Sequence, residues 1–337
     1  PLHLAAAAGH VRICRALLDK GADAMVGNVH GLDAEDVARS NKQLAVVRLF
    51  RPSFSDEEFT KAACAATPRL RAAAAGDVAA LGGTKDEGKI TALMVACHAR
   101  HVAAVEALVR QMAGAASLDA QSASGCTALY LAAEEGEVRI VRLLLERGAS
   151  VALAASDGGT PLQRACCFGH ELCARALIEA KAALDTQNNE GVTALMSSCE
   201  NGHELCARAL IEAGAEIDKT GPHDTTALLL ACQNGHEHCA RALIEAGANI
   251  EATEEDDWTA LMFACQDGHE HCARALIKAG AAVNYVDPEG WTALMTACQD
   301  GHEQCARALI EAKADLEKVN QDSFTSLMIS CQNGHEH

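Results

Sequence analysis

Aromatic side chains are scarce: 2 Trp, 2 Tyr and 6 Phe in 337 residues, or 3%, although 49% of the chain is hydrophobic. Ala, Leu and Cys must therefore fill most of the interior. That suits thin, closely packed helices and excludes a wide globular core built on large rings. Basic residues are also few, 28 Lys and Arg against 46 Asp and Glu, for a net charge of −18. Binding a phosphate backbone needs clustered Lys and Arg that release counterions, so no nucleic-acid partner is expected. The same charge is repelled by anionic lipid, so no membrane partner is expected either. No run reaches the roughly 18 apolar residues of a membrane-crossing helix, and no charged stretch followed by an apolar one marks a secretion signal. Gly-rich phosphate loops, H-E-x-x-H and G-x-S-x-G words are missing as well. No catalytic, cofactor-binding or metal-ligating residue is therefore expected, and the chain does not read as an enzyme.

Cysteine, by contrast, is plentiful at 16 residues. Disulfide frameworks belong to small oxidised chains with too little core. In a chain this long, with its cysteines on a regular lattice, reduced thiols in the cytoplasm or nucleus are the expectation.

The lattice is an internal repeat. Thr127, Thr160, Thr193, Thr226, Thr259, Thr292 and Thr325 recur at a spacing of 33, each opening a short apolar word such as T-A-L-M-S-S-C-E-N-G-H or T-A-L-M-F-A-C-Q-D-G-H. A second apolar block follows in the complete units, such as E-L-C-A-R-A-L-I-E-A-G-A or E-H-C-A-R-A-L-I-E-A-G-A. Self-similarity at such a period is the signature of a solenoid whose units bury their apolar faces only against one another. Each unit predicts two helices of about eight to ten residues. Thr suits an N-cap, whose side-chain oxygen accepts an orphan amide of the first turn, and Pro161 suits the first helical position. Gly202, Gly235, Gly268 and Gly301 are placed to end the first helix in a left-handed conformation, and Gly214, Gly247 and Gly280 to end the second. Lys181 and Lys313 take that second exit position in two units, where a left-handed backbone costs about 1 kcal/mol. Leu195, Leu210, Leu228, Leu243, Leu261, Leu276, Leu294 and Leu309 form the expected apolar ladder, with Ala207, Ala240 and Ala273 keeping the helices close.

This pattern resembles the ankyrin-repeat family, with its T-P-L-H-x-A-A-x-x-G-H word and later L-L-x-x-G-A. The resemblance implies an all-α repeat solenoid of helix–turn–helix units joined by hairpin loops, about ten units in all. Pro1-Leu2-His3 through Gly9-His10 matches the same word without its Thr. The expected organisation is residues 1–50 as N-terminal repeats, the first cut short and the second degenerate. An irregular segment with a shortened repeat follows over 51–90, then a regular array over 91–337 whose last unit is incomplete. Because the register starts and stops inside a unit, the sequence reads as a piece of a longer protein.

Cysteines occur seven apart at 166/173, 199/206, 232/239, 265/272 and 298/305, with histidines crowding them in G-H-E-H-C at 235–239 and 268–272. Zinc sites use such residues. The resemblance, however, puts the first Cys where the family has a small Ala and the second where it has Val or Ile, so core thiols are expected. The first His of each word (His170, His203, His236, His269, His302) belongs to the turn and is expected to hydrogen-bond locally.

The family contacts partners through its hairpin tips and the exposed face of the first helix, which points to a non-catalytic scaffold for a protein or peptide. The alternative is an accessory segment of a larger enzyme or signalling protein. The framework hardly varies from residue 191 onward, so its departures stand out. The residue before the repeat Thr is Trp258, Trp291 and Phe324 in three successive units, and aromatics on rigid scaffolds dominate binding energies. Glu254, Glu255, Asp256 and Asp257 lie beside them, then Asp287 and Glu289. Phe263, Gln266, Asp267, Thr296, Gln299, Asp300 and Asn333 extend the set along the first helices. An aromatic stripe with acidic flanks would suit a basic, partly apolar partner. No cofactor is expected, and the chain is expected to be a monomer.

Overall fold

The computed structural model describes residues 72–73, 75–76, 91–112 and 118–335. The repeats expected over 1–50, and nearly all of the irregular segment expected over 51–90, lie outside these residues. The described chain consists of helix pairs. In order they are α1 (Ala92–His98) and α2 (Val102–Gln111), α3 (Ala128–Glu134) and α4 (Val138–Glu146), α5 (Pro161–Cys167) and α6 (Glu171–Glu179), and α7 (Ala194–Glu200) and α8 (Glu204–Glu212). They continue with α9 (Ala227–Gln233) and α10 (Glu237–Glu245), α11 (Ala260–Gln266) and α12 (Glu270–Ala279), α13 (Ala293–Asp300) and α14 (Glu303–Glu311), and finally α15 (Ser326–Gln332). First helices stack on first helices and second on second, while each pair packs within its own repeat. The only β-pairing among the described residues is an isolated bridge between Thr253 and Thr259.

The local chemistry explains why helices of only seven or eight residues hold. Every first helix starts on the repeat Thr, in extended conformation, whose hydroxyl accepts the amide three residues on at 3.1–3.4 Å. At Thr160 the bond is returned, because Gln163 Oε1 accepts the Thr160 amide at 2.7 Å and completes a capping box. Such helices are too short to be stable alone; their stability comes from burial between neighbours. The expected leucine ladder is fully inside, from Leu195 to Leu309.

The Gly–His turns do more than end a helix. Gly202 has φ 74°, and a Cβ built on it would lie 2.5 Å from Nδ1 of His236 in the next repeat. The same close approach recurs at Gly136, Gly169, Gly235, Gly268 and Gly301. The expectation of local bonding fails for the imidazoles of His170, His203, His236 and His269, although the backbone amides of these residues do bond within the turn, as His203 does to the Ser198 carbonyl. His170, His203, His236, His269 and His335 instead reach back to the carbonyls of Glu134, Cys167, Glu200, Gln233 and Gln299 at 2.9–3.1 Å. A carbonyl only accepts, so Nε2 carries the proton in each bond. Partial burial pushes the pKa of His203 and His269 down, which keeps the imidazole neutral. Each imidazole thus closes the C-terminal end of the previous repeat's first helix. The two lysine exits, Lys181 (φ 63°) and Lys313 (φ 65°), do adopt the left-handed conformation.

Outside, Arg175, Arg208 and Arg274 each bridge a Glu of their own helix and a Glu of the following repeat. These pairs are exposed and screened by solvent, and they contribute little to stability.

Candidate protein-binding face

Trp258, Trp291 and Phe324 close the hairpins. Their carbonyls accept the amides of Glu254, Asp287 and Asn320 at 3.1–3.2 Å. The amides of Trp291 and Phe324 in turn bond the side chains of Asp287 (2.7 Å) and Asn320 (2.9 Å). Successive tips are tied as well, Glu255 to the carbonyl of His223 and Gln321 to that of Glu289. The stripe is therefore held by a regular backbone lattice, and its three rings are half-buried rather than free. Trp258 and Trp291 both pack against the core, and Trp258 lies 5.4 Å from Phe263 in a tilted contact.

The acidic neighbours divide. Glu255, Asp256 and Asp257 are exposed and Glu254 is half-exposed. Glu255 meets His223 at 2.6 Å, and Asp257 sits in a left-handed turn at φ 60°. Glu289 is exposed. Asp287, by contrast, is buried and serves as the hairpin acceptor, its Oδ2 also buried without a partner. Thr296 is likewise inside, 3% exposed and bonded to the carbonyl of Ala293. Both leave the candidate surface, Asp287 because its carboxylate is taken up inside its own hairpin and Thr296 because it points into the stack of first helices.

At the other end of α11 and α13, Gln266 is half-buried and Asp267, Gln299 and Asp300 are exposed. Seven helical residues, about 10 Å of rise, separate this end from the tryptophans. Although its side chain reaches solvent, loss of surrounding water in the packed turn, and then the charge of Asp300, push the Asp267 carboxyl up to about 6. The Gln299 carbonyl is occupied by His335 and by Asn333, which is itself exposed.

A second group of residues was not anticipated. Arg164 of α5 pairs with the nearly buried Glu134 at 2.7 Å. Its guanidinium lies 5.4 Å from the ring centres of both Tyr130 and Phe168. Phe168 stacks on His170 and remains 45% exposed. Burial pushes the Tyr130 phenol far up, so it stays protonated. The sequence signal was there: Arg164 stands where other repeats carry uncharged residues such as Ser197, Leu230 and Thr296, and Phe168 where they carry mostly Asn or an acid, such as Asn201, Asp267 and Asp300. They lie before residue 191, however, outside the stretch whose departures were compared.

The described thiols are mostly core, as expected, although Cys167 and Cys298 are half-buried and Cys331 is exposed. Among the described residues, no three His, Cys, Asp or Glu side chains are grouped to hold a metal ion, and no helix is long and apolar enough to cross a membrane.

Family models for ankyrin repeats match residues 70–155, 152–221, 218–287 and 279–337, and a single-repeat model matches 1–29. The chain belongs to the ankyrin-repeat family. Among solved structures it is similar to the human ASB11 ankyrin repeat domain, with 26% identity and a TM-score of 0.56. That match covers 60% of this chain and 90% of the other. No curated protein matches it. Ankyrin repeats are in general protein–protein interaction modules and typically non-catalytic.

Proposed function

We propose that this ankyrin array is a non-catalytic scaffold that takes a basic, partly apolar protein segment along the inner face and hairpin tips of residues 254–333. One observation carries the reading: an aromatic closes the hairpin at the same position in three consecutive repeats, with exposed carboxylates beside it. Half-buried rings held by their own hairpins lose little freedom on binding, so they act as rigid anchors. The flanking Glu255, Asp256, Asp257 and Glu289 raise the association rate and select cationic partners, with a smaller share of the affinity. Buried Asp287 and Thr296 take no part.

The test is selection of a displayed random peptide library on the immobilised chain. Winners should carry Lys or Arg around an apolar residue and lose binding when Trp291 is changed to Ala. Reversing Glu255 and Asp256 to Lys should slow association. Winners that are acidic or neutral, or that ignore Trp291→Ala with helicity intact, would overturn the reading.

A further inference from the structure

Sequence pairs the cysteines seven apart, but the fold pairs them otherwise. Cys166, Cys199, Cys232 and Cys265 lie on the first helices α5, α7, α9 and α11. Each is hydrogen-bonded, thiol to thiol, to a cysteine on the second helix of the next repeat: Cys206, Cys239, Cys272 and Cys305. Helices α7 and α10 touch across that boundary, and Cys305 Sγ also lies 3.8 Å from the carbonyl of Ala264, the neighbour of Cys265. All eight thiols are buried, none more than 1% exposed. Four equivalent sulfur contacts thus run in register through five consecutive repeats, each crossing a repeat boundary.

We propose that these four contacts are oxidative modification sites, at which an oxidant of the peroxide class converts each thiol pair into a disulfide linking one repeat to the next. The second-helix sulfur attacks as thiolate. Its bond to a peroxide oxygen forms as the O–O bond breaks, giving a sulfenic acid and hydroxide. The first-helix thiol then attacks the sulfenic sulfur, the S–S bond forms, the S–O bond breaks, and the hydroxyl leaves as water with the thiol's proton. Two thiols and one peroxide become one disulfide and two waters.

The direction of attack follows from the contact itself. The S–H of Cys166 or Cys265 donates to its partner and holds the Cys206 or Cys305 thiol below its ordinary value, whereas Cys166 and Cys265 are pushed up. Each pair of thiols already interacts across its repeat boundary, and an S–S bond of about 2.05 Å forms once the two helices close on one another. Burial sets the rate, because the oxidant enters only when neighbouring helices open locally. In the reduced array, adjacent repeats are held by non-covalent contacts alone. Four staples would fix the angle at each crossed boundary, and with it the curvature offered to a partner.

Hydrogen peroxide applied to the full chain, followed by alkylation and peptide mapping, tests this. The expected links are 166–206, 199–239, 232–272 and 265–305, with loss of eight titratable thiols and an upward shift of the urea midpoint that dithiothreitol reverses. Cys239→Val, which keeps an apolar side chain at a buried site, should remove only the 199–239 link and leave the other three. Links seven apart in sequence would overturn the proposal. So would oxidation confined to Cys167, Cys298 and Cys331, or a Cys239→Val chain that still forms the full set.

Discussion

Gly202 and Gly214 allow the same substitution to be made twice in one repeat with different consequences. Both have positive φ, 74° and 89°, so Ala introduces about 1 kcal/mol of left-handed strain at either. Nothing lies within 4 Å of a Cβ on Gly214, and Gly214→Ala should stop at that cost. On Gly202 the new methyl would meet His236 Nδ1 at 2.5 Å, about 1 Å inside ordinary contact. The ring must retreat and give up its bond to the Glu200 carbonyl, worth about 1 kcal/mol. Crowding of the tightly packed turn adds a further 1–3 kcal/mol or so. Gly202→Ala should therefore cost about 3–5 kcal/mol, read from the urea midpoint of far-UV circular dichroism at constant slope. In a chain that also carries His236→Ala, the clash has no second party, and the two changes should fall short of additivity by about 2–4 kcal/mol. If Gly202→Ala and Gly214→Ala destabilise equally, or the double mutant is additive, the imidazole does not wedge the repeats together as described.

Three further outcomes follow from the geometry. Lys181→Gly and Lys313→Gly relieve left-handed backbone and should each stabilise by a little under 1 kcal/mol, since the added freedom of the unfolded chain offsets part of the gain; calorimetry should show a raised Tm. Arg164→Ala strands Glu134, nearly buried, without its ion and should cost about 3–5 kcal/mol, whereas Arg208→Ala, at an exposed pair, should cost under about 1 kcal/mol. Asp267 has a folded pKa of about 6, above its ordinary 3.8, so its ionisation opposes folding. That penalty is absent below pH 3.8, grows as pH rises to about 6 and is complete above it. Asp267→Asn should accordingly stabilise the array at pH 7 and lose that advantage toward pH 4 in paired urea titrations.

The period, the Thr caps and the left-handed exits were legible because each is a property of one unit: a side chain and an amide three residues apart, or a φ demanded by a turn. What could not be read lies between units. Stacking sets His236 against Glu200, 36 residues back, and Cys239 against Cys199, forty residues back. Neither offset equals the period, and no pattern inside a unit implies either. Asp287 misled for a different reason. Its carboxylate suggested surface charge, yet it does the work that the neutral Asn188 and Asn320 do in equivalent hairpins, accepting the amide that closes the turn. Thr296 shows that a polar type at a variable position is not thereby exposed. The Arg164 group precedes residue 191, where the repeat framework itself varies, so its departures do not stand out in the sequence.

The back-reaching imidazole has one more consequence, for how such a chain can change length. Every tie between repeats described above, whether imidazole to carbonyl, guanidinium to carboxylate or thiol to thiol, joins a unit only to its immediate neighbour. Excising residues 194–226 would set Thr193 before Ala227 and recreate each of those ties between new neighbours, with Cys166 facing Cys239 and His236 facing Cys167. Repeats are thus interchangeable parts. The array can grow or shrink by whole periods through unequal exchange of near-identical segments.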